Sequence, residues 1–400
     1  MRWIMVVVVV ALGSVACVGR ASTGSGRSTK PIVQAGAGVG PAQPCTWRVG
    51  SSPNPGPGEH SLVAVAGDSN RDVWALGGYY SGQESGPTGN IVLHWNGVAW
   101  RVAPDAGLDQ HAQLRNLAVV APNDVWAVGD GHRHALIERW DGHEWRRVPS
   151  PDTGGSSSNL LAVTAVSARD VWAVGGYVVG NAGRALVEHW DGAEWRIVPS
   201  PSPPPRPLTA RPYDSLDALA ASSPSDVWAV GEVTNVAPEG ASNTLIEHWD
   251  GKHWAVVASP NVAANGGLPY DHLFSVAAMS PSDAWAVGAW DTTPGFGGGG
   301  DHALIERWNG RRWAVSPPFG LRARNYLQAV TARSATDAWA MGDEGIQNRR
   351  VLLAHWDGSR WKTALGGDGS IAAATELRSG GVAVGSTDTP ARTLALRCTQ

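Results

Sequence analysis

The chain has 400 residues, a net charge of −4 and only 16% charged residues, so it lacks the basic excess that a nucleic-acid-binding surface needs. It contains 21 tryptophans against six tyrosines and three phenylalanines. A bias of this kind indicates one tryptophan-bearing unit that is copied several times along the chain.

The N-terminal residues have the pattern of a secretory signal peptide. Arg2 precedes an apolar run from Ile4 to Leu12, and small residues follow at Ser14 to Ala16. The run is shorter than the roughly 20 residues that span a bilayer, which favours a cleaved signal over a membrane anchor. We therefore expect residues 1–16 to be a signal peptide and the protein to be exported, to the extracellular space or the cell surface.

Residues 17–44 are rich in Gly, Ser, Ala and Pro and have no periodicity, which is typical of a flexible tether. Cys17 begins this segment after a run of small residues, as in bacterial lipoproteins, so we expect a lipid anchor at Cys17 on the outer face of the plasma membrane. Ser14 stands where such signals usually have Leu, and ordinary cleavage before Cys17 stays open.

A single unit recurs from Leu62 onward. It begins with an apolar run such as Leu160 to Val163, continues after a polar turn with Val-Trp-Ala-Val-Gly as at Val171 to Gly175, and contains Leu-Ile-Glu-His-Trp-Asp-Gly-x-x-Trp as at Leu245 to Trp254. The first Trp of each copy comes roughly every 50 residues, at the spacing of propeller blades. These residues are Trp74, Trp126, Trp172, Trp228, Trp285 and Trp339. Each copy has four segments of strand composition, and Asp-Gly or Asn-Gly between the last two indicates a tight hairpin.

The seventh copy is split between the two ends of the chain. Its first three strands match Ile371–Thr375, Val382–Gly385 and Thr393–Cys398, after which the chain ends without a fourth. The missing strand is found at Thr46–Val49, which resembles Trp195–Val198. The sequence therefore predicts an all-β, seven-bladed β-propeller of four-stranded antiparallel blades over residues 45–400, with the ring closed by the N-terminal strand in the last blade.

The repeats resemble those of the kelch family, which includes the propeller domain of galactose oxidase. Kelch units have a glycine doublet after the second strand, and Gly77-Gly78 and Gly175-Gly176 keep that doublet here. The other copies keep only its first glycine. The resemblance implies the propeller fold, but it does not imply a function, because propellers host many unrelated activities.

Residues that recur in every copy are expected to be structural. We interpret the tryptophans as packing between neighbouring sheets, because Trp buries a large apolar area. We interpret the Asp before each second strand as a turn lock that bonds backbone N–H groups, rather than as a metal ligand. These residues are Asp72, Asp124, Asp170, Asp226, Asp283 and Asp337. His and Arg alternate at one third-strand position, as at His189 and Arg139, which favours a solvent-facing or cross-strand location.

Function is expected where the copies differ. Most of the length variation lies in the connections from the second to the third strand and from each blade to the next, and in propellers both open on one face. The candidate ligand-binding residues on this face are Tyr79, Tyr80, Tyr177, Tyr213, Asp214, Tyr270, Asp271, His272, Trp290 and Tyr326. The mouth of the channel should be ringed by Ser61, Gln113, Asn159, Ser215, His272, Tyr326 and Ser370. Aromatic and uncharged hydrogen-bonding groups suit a saccharide or a peptide; the alternative is that these tyrosines only anchor long loops.

Three functions stay open. The favoured one is a non-enzymatic binding module for a saccharide, peptide or protein at the cell surface, acting as a monomer. A polysaccharide-acting glycosidase or lyase is the first alternative, with Asp214 and Asp271 as its best pair of carboxylates. A purely structural cell-surface protein is the second. No nucleophile motif, phosphate loop or metal-ligand spacing is present, so we expect no catalytic residue, cofactor, metal or nucleic acid, and membrane contact only through Cys17.

The two remaining cysteines lie on either side of the break in the seventh copy. Cys398 falls where other copies have the third-strand Trp, as at Trp190, and Cys45 falls at the position of Ala193, across the hairpin. Adjacent antiparallel strands bring Cα atoms within reach of a disulfide, and export provides an oxidising compartment. We therefore predict a Cys45–Cys398 disulfide that locks the ring; two unrelated free thiols are the alternative.

Overall fold

The computed structural model describes residues 46–82, 88–104, 112–201, 213–236, 241–262, 270–291, 302–316, 324–346, 348–377, 380–388 and 390–399. All of these lie in one compact unit, Pro31–Gln400. Every helix or strand assigned in these ranges is a β-strand, and none of them contains a helix long and apolar enough to cross a membrane. The predicted signal peptide, the tether, Cys17 and Cys45 lie outside the described residues.

The described part of the chain contains 28 strands. In chain order they are β1 (Thr46–Gly50), β2 (Glu59–Ser69), β3 (Asp72–Tyr80), β4 (Thr88–Trp95), β5 (Trp100–Val102), β6 (Ala112–Ala121), β7 (Asp124–Gly131), β8 (Ala135–Trp140), β9 (Trp145–Arg147), β10 (Ser157–Ser167), β11 (Asp170–Val179), β12 (Ala182–Trp190), β13 (Trp195–Ile197), β14 (Asp214–Ser223), β15 (Asp226–Val236), β16 (Ala241–Trp249), β17 (Trp254–Val256), β18 (Tyr270–Ser280), β19 (Asp283–Asp291), β20 (His302–Trp308), β21 (Trp313–Val315), β22 (Asn325–Ser334), β23 (Asp337–Glu344), β24 (Arg350–Trp356), β25 (Trp361–Asp368), β26 (Ser370–Leu377), β27 (Gly380–Ser386) and β28 (Thr393–Thr399).

These strands form six sheets in the described residues, five of four strands and one of eight. The eight-stranded sheet consists of two four-stranded groups, β14–β17 and β18–β21, which one parallel residue pair, Ser242 with Tyr270, joins. We number the groups that begin with β2, β6, β10, β14, β18, β22 and β26 as repeats 1 to 7. Within each group the neighbouring strands are antiparallel.

The first strand of the described chain pairs with the last. In repeat 7 the strand order is β1-β28-β27-β26, so β1 takes the place of a fourth strand. Trp47 on β1 lies opposite Cys398 on β28, as Trp195 lies opposite Trp190 in repeat 3. The pairing that the sequence predicts for Thr46–Val49 is therefore present.

Tryptophans fill the spaces between neighbouring sheets, as predicted. The second-strand Trp172 of repeat 3 is buried, and its ring centroid lies 4.9 Å from that of Trp249 and 5.4 Å from that of Trp254, both in repeat 4. The same three-ring contact joins repeats 1 and 2, 2 and 3, 4 and 5, and 5 and 6. Between repeats 6 and 7 the equivalent partner of Trp339 is Trp47, at 5.8 Å.

The Asp before each second strand does not lock a turn, so that prediction is wrong. Its carboxylate instead pairs with the His or Arg of the third strand: His189 Nε2 lies 2.8 Å from Asp170 Oδ1, and Arg139 donates to both oxygens of Asp124 at 2.8 and 3.0 Å. The His or Arg in turn lies against the second-strand Trp, with 4.1 Å between the ring centroids of His189 and Trp172. The third-strand position is thus a cross-strand one.

The Asp that does bond backbone N–H groups of a turn is the one in the Trp-Asp-Gly hairpin. In repeat 3 the backbone N–H groups of Ala193 and Glu194 donate to Asp191 Oδ1 at 2.9 and 3.1 Å. These two bonds stabilise the carboxylate and lower the pKa of Asp191. The hairpin can therefore be rigid although its fourth strand has only three residues.

In repeats 3, 4 and 5 a buried glutamate accepts a hydrogen bond from the Ser-Pro segment that ends the preceding repeat. Ser150 donates to Glu188 at 2.8 Å, Ser200 to Glu247 at 2.8 Å and Ser259 to Glu306 at 2.9 Å. Burial raises the pKa to about 7 for Glu188 and for Glu247 and to about 8 for Glu306. Because burial disfavours the charged form, the folded protein holds these carboxyl groups in their protonated form well above the usual range.

From the raised pKa values of these glutamates we predict that the protein loses stability as pH rises through neutrality. The pKa of Glu306 rises from 4.5 to about 8 on folding, so its contribution is complete below pH 4.5 and is lost as pH approaches 8. Glu306→Gln should leave stability unchanged near pH 4.5 and raise the free energy of unfolding at pH 8 by about 2–4 kcal/mol. Urea unfolding at a series of pH values measures this.

The exposed Glu194 provides the matched control, since Glu194→Gln should change the free energy of unfolding by less than about 0.5 kcal/mol at any pH. A Glu306→Gln variant with the same pH dependence as the wild type would show that Glu306 ionises freely in the folded state.

Candidate functional site

The first strands of the repeats surround a common cavity. β2, β6, β10, β14, β18, β22 and β26 contact one another in that order, and β26 also contacts β2. Together they line a cavity of about 390 Å³, which we call the central channel. Its volume lies in the range of small-molecule sites.

Each first strand has a β-bulge where it faces the central channel. In repeat 4, Leu216 pairs with Gly231 and Ala218 with Val230, so Asp217 between them has no opposite residue. The extra residue of each bulge lines the channel, and we call these seven residues the bulge ring. They are Val63, Arg115, Leu161, Asp217, Phe274, Gln328 and Ala372.

The bulge explains why the first glycine of the doublet recurs and the second does not. Opposite each bulge stands that first glycine, as at Gly175 and Gly288. A Cβ added there would lie 2.2 Å from Asn159 O or 1.8 Å from His272 O, which is too close for any side chain. A constant glycine inside a strand is a known signal of a bulge, so the sequence did contain a sign of this feature.

The bulge ring differs chemically from repeat to repeat, unlike the tryptophan framework. Four members are apolar, one is an amide, and Arg115 and Asp217 carry opposite charges. The buried Nε of Arg115 has no hydrogen-bond acceptor in the described part of the chain. Burial lowers the pKa of Arg115, while the charge of nearby Asp130 raises it.

A cluster of hydrogen-bonded polar side chains surrounds Asp217 where repeats 4 and 5 meet, and we call it the His272 cluster. Asp217 accepts a bond from Ser215 Oγ at 2.7 Å and a short one from His272 Nε2. Glu232 Oε2 lies 3.7 Å from His272 Nδ1 and accepts from Ser242 Oγ at 2.7 Å. Burial opposes the charged imidazolium, but Glu232 and Asp217 together hold the pKa of His272 above its ordinary value. The cluster thus sets two carboxylates against one imidazole ring.

The predicted carboxylate pair, Asp214 and Asp271, is engaged elsewhere. Asp214 is buried 3.5 Å from Arg184 of repeat 3. Asp271 accepts from the backbone N–H of Val262 at 3.1 Å, and burial raises its pKa to about 7. Each of the two therefore contacts its own partner, whereas Asp217 and Glu232 both lie against the ring of His272.

The predicted aromatic residues divide into anchors and rim residues. The rings of Tyr79 and Tyr213 pack over Gly89 and Gly183, so these two match the anchoring alternative. Burial, with the charges of Asp217 and Glu232, raises the pKa of Tyr213 to about 12.

Of the other predicted aromatics, only Tyr80 is exposed. Arg324 donates to the Tyr326 hydroxyl at 2.6 Å, and the Trp290 ring lies 4.7 Å from that of His302. Tyr177 and Tyr270 are half-buried, and Tyr80 is 47% exposed. Of the residues predicted from sequence, Tyr213, Ser215 and His272 are brought together with Asp217 and Glu232, which sequence reasoning missed. No group of three or more His, Cys, Asp or Glu side chains that could hold a metal ion occurs in the described ranges.

No protein-family model matches the chain, and no curated protein matches it. Among solved structures it is similar to YCF48 from Cyanidioschyzon merolae (12% identity, TM-score 0.55, 88% of this chain and 98% of that chain). It is similar to YCF48 bound to D1 peptide (12%, 0.53, 88% and 97%) and to the PL25 ulvan lyase, a polysaccharide lyase, bound to -[GlcA(1-4)Rha3S]- (7%, 0.54, 84% and 94%). At these identities the likeness shows the fold alone, and the chain is a β-propeller protein.

The His272 cluster generates a prediction about protonation. Asp217→Asn should lower the pKa of His272, because it removes one of the two charges that offset burial. The stability that depends on the charged His272 is present below its unfolded pKa and is lost as pH rises through the folded one, so the variant should be destabilised most at acidic pH. NMR titration of the His272 ring signals measures the shift.

Asp170→Asn, which alters the equivalent framework pair with His189, should leave the titration of His272 unchanged. An unaltered His272 pKa in Asp217→Asn would contradict the account of the cluster.

Proposed function

We propose that this protein is an exported binding module: a seven-bladed, kelch-like propeller, closed by its first strand, that binds a ligand in the central channel. The bulge ring carries this proposal. Packing positions such as those of the tryptophans are nearly identical between repeats, whereas the seven bulge residues share one cavity and differ in size, polarity and charge. Binding groups on a rigid scaffold are expected to vary in this way.

Three observations support the closed ring. β1 pairs with β28, Trp47 lies against Trp339, and β2 contacts β26. The segment after β1 adds hydrogen bonds, since Asn54 Oδ1 accepts from the Thr393 backbone N–H at 2.7 Å and Ser52 Oγ lies 2.7 Å from Thr393 Oγ1. A ring closed by non-covalent pairing of distant strands would benefit from a covalent link, which is the role proposed for Cys45 and Cys398.

Two measurements on the exported protein test the disulfide proposed for Cys45 and Cys398 and the lipid anchor proposed for Cys17. Cys398 is buried opposite Trp47, beside the strand that begins just after Cys45. Non-reducing peptide mapping of protein exported by a bacterial host should find Cys45 linked to Cys398, and mass spectrometry of the N-terminus should find lipid on Cys17. Reductant should lower the free energy of unfolding by about 2–5 kcal/mol if the bridge is present. Free thiols at both positions would refute the bridge, and an unmodified Cys17 would refute the anchor.

The geometry favours binding over catalysis. Both ring nitrogens of His272 face carboxylates, and the pKa of Tyr213 is raised to about 12, so neither side chain is ready to accept a proton near neutral pH. One observation favours the enzyme alternative: a buried His, a second carboxylate and a Tyr lie close to Asp217, which lines the channel, and a propeller similar to this chain is a polysaccharide lyase. The similar propellers are bound to a peptide and to a saccharide, which are the two ligand classes expected here.

A substitution of Phe274 tests whether the channel binds the ligand, because this side chain has the largest apolar surface in the bulge ring. Its ring centroid lies 4.3 Å from that of His272. Glycan and peptide arrays should identify a ligand, and Phe274→Ala should weaken its binding at least about 10-fold by calorimetry. Ile197→Ala, on an exposed outer strand, should bind like the wild type. Incubation of the ligand with the wild-type protein should yield no cleavage product.

Two results would change this account. Loss of binding in Tyr80→Ala but not in Phe274→Ala would move the site from the channel to the loop rim. A cleavage product that disappears in a His272 variant would establish the enzyme alternative.

A further inference from the structure

Arg115 is the one positively charged residue of the bulge ring, and the described part of the protein does not provide a hydrogen-bond acceptor for each of its N–H groups. A guanidinium has five N–H donors, but the described residues show no hydrogen bond from this side chain, and its Nε is buried. The charge that acts on it is Asp130, whose Oδ1 already accepts a bond from the backbone N–H of His132 at 2.9 Å. A buried donor without an acceptor lowers the free energy of unfolding, so the Nε–H of Arg115 destabilises the folded protein.

The fold does not require an arginine at this position. The equivalent bulge residues of the two neighbouring repeats are Val63 and Leu161, and repeat 7 has Ala372. All of them line the same channel beside the same type of β-bulge. Packing within the fold therefore does not account for the arginine, and its Nε lacks an acceptor among the described residues, beside a cavity that a ligand can enter.

The surroundings of Arg115 select the chemistry of that ligand. Val63 and Leu161 flank it around the ring, so the part of the ligand next to the charged group meets aliphatic side chains. Asp217 of the His272 cluster lines the same channel and brings a carboxylate to it, which disfavours a doubly charged anion. A carboxylate has a single charge and the planar geometry that matches a guanidinium with two parallel bonds.

We propose that Arg115 binds the carboxylate of a ligand whose adjacent group is aliphatic, either a free aliphatic acid or the C-terminus of a peptide that ends in an aliphatic residue. This inference deepens the proposed function and rests on it. The carboxylate accepts two bonds from the guanidinium, and the aliphatic group packs on Val63 and Leu161.

Paired ligands that differ only in charge test the proposal. Sodium pentanoate is compared with pentanamide, and an acetylated tetrapeptide ending in valine is compared with its C-terminal amide, all at constant ionic strength. Calorimetry should detect binding of at least one acid, and its amide should bind about 10- to 100-fold more weakly. Arg115→Gln should lose the same factor, whereas Arg101→Gln, on the exposed face of β5, should bind like the wild type.

The two arms identify the source: pentanoate binding indicates a free acid, and binding of the peptide acid alone indicates a chain end. Arg115→Met provides a readout without ligand, because removing a half-buried guanidinium whose buried Nε has no acceptor in the described ranges should raise the melting temperature. The proposal is overturned if acid and amide bind equally, if Arg115→Gln binds like the wild type, or if neither acid binds. Failure of these arms together with Phe274-dependent binding of another ligand would reject the role of Arg115 and leave the channel as the binding site.

Discussion

The structure depends on an indole that each of repeats 1 to 6 packs against the next repeat. The second-strand Trp is held on one side by the His or Arg of its own repeat, which an Asp orients, and on the other by two tryptophans of the following repeat. Such ring contacts contribute about 0.5–1.5 kcal/mol per pair beyond the burial of area. Because each indole is covered by the following repeat, these repeats depend on their neighbours, and the last of the six indoles, Trp339, is covered by Trp47 from the other end of the chain.

This dependence explains what could be predicted from sequence. Trp recurs at a fixed place in a fixed pattern, so the strand order and the assignment of Trp47 to the last sheet followed from alignment of the copies. The hydrogen-bond partner of each recurring Asp could not be predicted from the sequence, because an Asp before a strand is equally compatible with a turn and with a cross-strand pair such as Asp170 with His189. Contacts between positions far apart in one copy are invisible to periodicity.

The bulge was missed for a related reason. One extra residue in an apolar run such as Leu216 to Leu219 does not disturb the composition of the strand, and its visible sign is a glycine on the partner strand, Gly231. The same extra residue points away from the packed layers between repeats and toward the channel. The sequence prediction placed the mouth of the channel at Ser215 and His272, two residues early, and so found part of the His272 cluster without Asp217.

Within one strand the fold therefore separates packed positions, which repeat, from the bulge position, which is free to vary, and the proposed function assigns ligand recognition to the bulge position. A crystal structure of the protein with the ligand that the arrays select is the most direct test of this separation. The account predicts ligand atoms within about 4 Å of several members of the bulge ring, with the tryptophan framework unmoved. A ligand bound only to outer strands or peripheral loops, with no contact to the central channel, would contradict it.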